Sequence, residues 1–250
     1  MNNLNVYGLS TARGGSKSVI NKNVMDIQGK PLYLHNVLNS LACPEIKATY
    51  VTTDIDLIIE DADKYGYRII RRPDELCQDH STHSDTIKHG LLEIEKDTGE
   101  QVDVLVVMLG NTMNVVPSDV AKGLEMLRED PSLDSVITLV KQNHFNPIRA
   151  YVVNKEGLVD TYLEQDYIRE KTRTTSLSDK NSVGNIYFQN GLWLLRRRAV
   201  IENNGILPFQ WLGTKIGYIV QHPALQEIDD KYQINLLQHL DLDEAFRYNL

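Results

Sequence analysis

Val6-Tyr7-Gly8-Leu9-Ser10, running without a break into Thr11-Ala12-Arg13-Gly14-Gly15-Ser16-Lys17-Ser18-Val19-Ile20-Asn21-Lys22-Asn23, is the stretch from which the fold can be read. The first five residues have the length and apolar content of a buried strand. The segment from Thr11 to Asn23 carries two glycines, whose backbone N–H groups can approach an anion closely, and three cations, Arg13, Lys17 and Lys22, within ten residues. In an open α/β sheet the loop after the first strand is where nucleotides dock, so the segment has the composition of a phosphate cradle. It is not a Walker loop, because Gly-x-x-x-x-Gly-Lys-Ser/Thr is absent, and it lacks Gly-x-Gly-x-x-Gly. The plain alternative is a solvated basic turn.

Outward from this loop, short apolar runs alternate with amphipathic segments up to about residue 140, the pattern of a doubly wound, mostly parallel α/β sheet. Strands are expected at Val6 to Ser10, Thr49 to Thr53, Arg68 to Arg71, Val104 to Leu109 and Ser135 to Val140. Helices are expected from Pro31 to Leu41, from Thr82 to Lys96 and from Pro117, with Pro in the first turn of the first and Thr82 and Asp85 as a capping box for the second. From Lys141 to about Gly184 apolar residues thin out and no long helix can be drawn. The expected organisation is one α/β domain from residues 1–140 and 186–250, with 141–185 as an inserted lobe. In the second part, a strand is expected within Ile186 to Leu195, a short helix near Arg198, a strand at Ile216 to Gln221, and a last helix carrying Ile234, Leu237 and Leu240.

The chain has 250 residues, 42% hydrophobic and 24% charged, with a formal charge of -8. That is enough chain for a sizeable core, and no global positive field is available for a nucleic acid. The two cysteines, Cys43 and Cys77, have neither metal-like nor redox-like spacing, which favours a reducing, cytoplasmic compartment. No apolar run is long enough to cross a bilayer, so no membrane partner is expected. The histidines form no metal set and read as helix-start and surface residues, and the tryptophans read as dispersed.

Ala12-Arg13-Gly14-Gly15-Ser16-Lys17 followed by Lys22-Asn23 resembles the opening motif of the cytidylyltransferases that activate acidic sugars, the CMP-sialic, CMP-legionaminic and CMP-Kdo synthetases. Gly29-Lys30-Pro31-Leu32, Thr52-Thr53-Asp54, Arg72-Pro73-Asp74-Glu75-Leu76 and Gln78-Asp79 continue the resemblance in the family's order. It implies a nucleotide-diphospho-sugar transferase-like fold with an inserted dimerisation lobe, and a homodimer in which that lobe closes a neighbour's site. It implies CTP and a small acidic acceptor as partners, with Lys17 and Arg13 catalytic. Ala12, Arg13, Gly14, Gly15, Ser16, Lys17, Lys22, Asn23 and Arg72 are the implied nucleotide contacts. Preorganised cations are what nucleotidyl transfer needs, because charge develops on the α-phosphate and on departing pyrophosphate. For Arg72 a surface salt bridge is the competing reading.

In Glu227-Ile228-Asp229-Asp230, an extended chain would put the Glu227 and Asp229 carboxylates on one face, suiting a divalent ion that keeps several waters; an N-cap and dipole pair for the last helix is the competing reading. The resemblance makes the pair a variant of the family's Asp-x-Asp site for Mg²⁺. The loop Gly110-Asn111-Thr112-Met113-Asn114 departs from the family's Gln-Pro-Thr-Ser-Pro, so the acceptor is expected to differ or to sit differently, with Asn111 supplying the missing amide. Gln233 stands where the family has a further aspartate. Arg149, Arg169 and Arg173 are cations available to an acceptor carboxylate or phosphonate, with a solvated surface charge as the competing reading of each. Gln189, in Tyr187-Phe188-Gln189-Asn190-Gly191, which reads equally as a plain core strand, completes the acceptor set of Asn111, Arg149, Arg173 and Gln189. The same chemistry on a phosphonate or phosphorylated acceptor, the use of another nucleotide, and a non-catalytic nucleotide-binding subunit are the competing functions.

Overall fold

The computed structural model describes residues 4–15, 19, 21–78, 81–175, 177, 179–225 and 227–247. Seven strands form one sheet: β1 (Val6–Thr11), β2 (Thr49–Thr53), β3 (Arg68–Arg71), β4 (Val104–Leu109), β5 (Ser135–Lys141), β6 (Tyr187–Arg196) and β7 (Ile216–Gln221). Their order across the sheet is β7-β5-β6-β4-β1-β2-β3. All neighbours are parallel except β6, which runs antiparallel to both β4 and β5. The mostly parallel α/β expectation therefore holds, and the strand boundaries read from the sequence fall within a residue of those observed.

Strand β4 shows why the sheet forms. All six of its residues are buried, as a strand covered on both faces requires. Alternation sends Leu105, Val107 and Leu109 to one face, against Ile87, Leu91 and Ile94 of α2 (His83–Thr98). Val104, Val106 and Met108 face the other way, against Val120, Leu124 and Leu127 of α3 (Pro117–Glu129). Each such side chain, fully buried, contributes about 1.5–3 kcal/mol relative to exposure. Helix α1 (Leu32–Leu41) begins one residue later than expected, because Pro31 has extended ψ and serves as the N-cap. Thr82 caps α2, its hydroxyl accepting from the Asp85 N–H at 3.1 Å and donating to the Asp85 carboxylate at 2.6 Å.

Strands β1 and β4 end in register, with Thr11 opposite Leu109. The chain winds outward from β1 to β2 and β3, then returns to pair β4 with the other flank of β1. This reversal opens a crevice beyond the carboxyl ends of the two central strands.

Lys141 and Tyr187 are register partners on β5 and β6, so the chain leaves and re-enters the sheet at one point. Between them stand a two-stranded ribbon, Tyr151–Val153 with Val159–Thr161, and the helix α4 (Gln165–Thr172), none of whose residues is buried. That helix has no apolar stripe, which is why no sequence period announced it. The last helices are α5 (Lys231–Gln238) and Leu242–Phe246, so Leu240 lies beyond the helix it was expected to share with Ile234 and Leu237. Among the described residues no helix is long and apolar enough to cross a membrane.

Candidate active site

A cavity of about 470 Å³ occupies the crevice. Arg13, Lys22 and Asn23 border it from the β1 loop, Arg72 from the end of β3, Asn111 from the end of β4, Gln189 from β6, and Glu227 and Asp229 from the segment after β7. Eight residues singled out in five separate stretches thus surround one space. Ser16 and Lys17 lie outside the described residues, as does Asp79.

The loop after β1 is held from several sides. Ala12 is fully buried and its N–H donates to the Thr52 carbonyl at 3.1 Å, prolonging the β1–β2 pairing. The Gly14 N–H, expected to be offered to an anion, donates instead to the Asp54 carboxylate at 2.7 Å. A side chain at Gly14 would meet that carboxylate at an ordinary contact distance of 3.4 Å, so the conformational need for glycine is at Gly15, whose φ of 70° turns the loop. Asn23 donates to the Arg13 carbonyl at 2.8 Å, and Arg13 donates to the Cys77 carbonyl at 2.8 Å. Asn23 is therefore a brace for the loop, with its buried Oδ1 lacking a hydrogen-bond partner among the described residues.

Arg72 is 8% exposed, and its guanidinium donates to the Thr52 carbonyl at 3.0 Å. Burial lowers its pKa, with the Arg13 charge acting in the same direction and Asp54 against it. No carboxylate lies within ion-pair distance of it among the described residues, so the surface salt-bridge reading is corrected: Arg72 is a buried cation facing the cavity.

The acidic segment is extended and alternates as expected. Ile228 is 1% exposed and packs with Val19, Ile27, Leu32 and Met113, leaving Glu227 and Asp229 toward the cavity. Asp229 is paired with Lys22 at 2.8 Å, and the Lys22 ammonium also donates to the Ile228 carbonyl at 3.1 Å. Burial, with the Asp229 charge adding to it and Lys22 opposing, pushes the Glu227 carboxyl above the usual carboxylate range. Among the described residues nothing donates a hydrogen bond to that carboxylate. A desolvated carboxylate beside a second one is a donor set that a divalent cation would compensate. Among the described residues no group of three or more His, Cys, Asp or Glu is arranged to hold a metal ion, so an ion at this pair would take its other ligands from phosphate and water.

The acceptor side differs from expectation. Asn111 does border the cavity, but its amide donates to the Ile228 carbonyl at 3.4 Å while its own backbone carbonyl accepts from the Ile228 N–H at 3.0 Å. Thr112 is fully buried, within a polar network that joins Asn36, Asn114, Asn190 and Gln221 and fixes the β4 loop from beneath. Gln189 has a buried Oε1 without a partner among the described residues. Arg149, Arg169 and Arg173 lie in the chain between β5 and β6 and do not border this cavity; Arg169 is paired with Asp166 at 2.5 Å.

His83, expected at the surface, is instead part of the cavity wall. Its ring donates to or accepts from the Thr11 hydroxyl at 3.1 Å and meets Trp193 edge-on at 5.4 Å between centroids. Burial, reinforced by Arg72, drops its pKa to about 4, so it is neutral at physiological pH. Trp193 and Trp211, distant in sequence, lie 6.1 Å apart and complete an aromatic wall with Phe209. The only sequence signal for that wall is the position of Trp193 just after Asn190-Gly191.

Gly110 has a steric reason. A Cβ there would come within 2.8 Å of the Ala12 Cβ and 3.1 Å of the Thr11 carbonyl, where β1 and β4 finish side by side. Gly110→Ala is expected to cost about 1–3 kcal/mol in urea unfolding through overpacking at this junction. An unchanged unfolding midpoint would show that β1 and β4 yield freely there.

A doubly wound sheet with cations and a carboxylate pair around a cavity at the strand reversal suits a phosphate-bearing ligand. The family model described as "Cytidylyltransferase" matches residues 9–202, and the chain belongs to that family, whose members are CTP-dependent nucleotidyltransferases. It is 30% identical over 156 residues to an N-acylneuraminate cytidylyltransferase of Oncorhynchus mykiss, a match covering 62% of this chain and 34% of that one. The chain thus spans about a third of that longer relative. A post-translational flagellin modification protein B of Campylobacter coli is 22% identical over 92% of both chains. A 3-deoxy-manno-octulosonate cytidylyltransferase of Brucella ovis is 27% identical over 77% of this chain and 72% of its own. In fold, the chain is similar to a CMP:2-keto-3-deoxy-manno-octonic acid synthetase complexed with CTP, with a TM-score of 0.63, 18% identity and coverage of 96% of this chain and 99% of that one. A 4-diphosphocytidyl-2C-methyl-D-erythritol synthase from Anaerococcus prevotii gives 0.60 at 15% identity, covering 94% and 95%.

Proposed function

We propose that this chain joins CMP from CTP to the hydroxyl of an acidic sugar, such as a legionaminic-type, sialic-type or Kdo-type acid, and releases pyrophosphate. The observation that carries the reading is that Arg13, Lys22 and Arg72 border the same cavity as Glu227 and Asp229. The acceptor oxygen forms a bond to the α-phosphorus as the bond to the pyrophosphate oxygen breaks, and the hydroxyl proton leaves to solvent. Arg13, Arg72 and Lys17 stabilise the charge on the phosphoryl oxygens, and Lys22 joins the cradle to the acidic segment. Mg²⁺ held by Glu227 and Asp229 would neutralise phosphate charge and orient the triphosphate. The names of the relatives, two of which are cytidylyltransferases of acidic sugars, support the acceptor class.

The lobe supports a second copy of the chain as partner. Tyr151, Val153 and Val159 are each at least 70% exposed on the ribbon, an apolar surface that a neighbouring subunit would cover. In such a dimer Arg149 and Arg173 would approach the neighbour's acceptor.

Pyrophosphate release is expected with CTP and Mg²⁺ in the presence of one acid from a panel of nonulosonic acids, Kdo and small phosphonates, and not with ATP, GTP or UTP. Release that needs a phosphonate, or a different nucleotide, would replace the acidic-sugar reading. Release with no combination would leave a nucleotide-binding subunit.

A further inference from the structure

We propose that Gln233 is a positioning residue that sets the angle at which the Glu227 and Asp229 carboxylates enter the cavity. This rests on the proposed reading of that pair as the holder of a divalent ion. The Gln233 side-chain amide makes three hydrogen bonds to the backbone of the acidic segment. Its Oε1 accepts from the N–H groups of Asp229 and Asp230, each at 2.7 Å, and its Nε2 donates to the Glu227 carbonyl at 2.9 Å. One amide therefore spans the chain on both sides of Ile228. From the other direction Asn111 clasps Ile228 through its backbone carbonyl and its side-chain amide. The segment is gripped between two amide residues from distant parts of the chain, with Ile228 fixed in the core between them.

The task at position 233 needs an acceptor and a donor at once, which an amide has and an ionised carboxylate lacks. A carboxylate would also add a third negative charge beside Glu227 and Asp229. Gln233 is therefore a neutral brace, and Glu227 and Asp229 are the side chains left to face the ion. Partners that orient a ligand from behind typically cost about 10–100-fold in metal affinity when removed.

Gln233 also supplies half of a capping box at the start of α5, so its two roles must be separated. Mn²⁺ serves as the probe, titrated into CTP-saturated protein and followed by the EPR signal of free Mn²⁺. Gln233→Leu is expected to raise the Mn²⁺ half-saturation concentration roughly ten-fold or more while CTP binding in EDTA stays as in wild type. Gln233→Glu keeps both acceptor contacts, and hence the cap, but loses the donation to the Glu227 carbonyl; its half-saturation is expected to rise above the wild-type value, opposite to the fall that its added negative charge alone would cause. A residue that merely capped the helix would lower the thermal midpoint of Gln233→Leu without moving Mn²⁺ binding, and Gln233→Glu would bind Mn²⁺ as tightly as wild type or more tightly; either result overturns the proposal. If wild type itself takes up no Mn²⁺ beyond that bound by CTP in solution, the reading of the acidic pair falls, and this inference with it.

Discussion

Arg72→Ala is expected to lower pyrophosphate release from CTP by about two to three orders of magnitude, the usual consequence of deleting one preorganised transition-state donor. The residue is costly where it stands. A guanidinium 8% exposed has lost most of its water, and among the described residues it has a carbonyl and a hydroxyl of Thr52 but no paired carboxylate. Burial works against its charge, so a fold selected only for stability would gain nothing by placing it there. On the proposed function, an incoming triphosphate would supply the missing counter-charge, most strongly as the α-phosphate gains charge. Arg72→Lys keeps a cation but not the fork that reaches Thr52 and a phosphate together, so partial activity is expected. Steady-state kinetics with circular dichroism on both variants decide the matter. Near-normal turnover in a folded Arg72→Ala protein would reduce Arg72 to a brace for the end of β2.

Much of this site is legible in the sequence because its parts are local. The loop after β1 is written in consecutive residues, and the strand before it has an unambiguous apolar run. The alternation of Glu227, Ile228 and Asp229 needs only the period of an extended chain, and the burial of Ile228 shows that this period is kept. The sheet is equally readable, since the runs at Val51 and Val104 belong to strands covered on both faces and carry no competing helical signal.

The features that escape a sequence reading depend on pairings across long sequence separations. The Gly14 N–H goes to Asp54, and Asn111 to Ile228, because of where β2 and β7 deliver their following loops. Neither partner is implied by residue type. His83 stands at a helix start, where exposure is the reasonable expectation, yet Trp193 and Trp211 arrive from elements more than a hundred residues later in the chain and enclose it. The segment between β5 and β6 is the opposite case. Its ribbon and α4 bury almost nothing within this chain, so neither period nor core position could mark them.

Glu227→Gln is expected to reduce turnover at saturating CTP by about two to three orders of magnitude, and higher Mg²⁺ should restore only part of it, because a neutral amide is a poor ligand for a hard cation. The same substitution should leave stability at pH 7 unchanged or slightly higher. Folding raises the Glu227 pKa, through burial first and the Asp229 charge second, so the ionised group is less comfortable in the folded chain than in the unfolded one. Its charge opposes folding at neutral pH, and that opposition fades as pH falls through the raised value. Asp229→Asn should behave differently. Asp229 is exposed and already paired with Lys22, so the variant loses an ion pair of small worth and frees the Lys22 ammonium toward the phosphates. Its turnover should fall less, with a larger share of the loss recovered by added Mg²⁺. Pyrophosphate release across an Mg²⁺ titration, run beside thermal unfolding of each variant, separates these cases. A Glu227→Gln protein that turns over normally at low Mg²⁺ would remove Glu227 from the ion's surroundings. A Glu227→Gln protein that is both inactive and markedly less stable would mean that the carboxylate is structural, and that the activity was lost with the fold of the segment rather than with its charge.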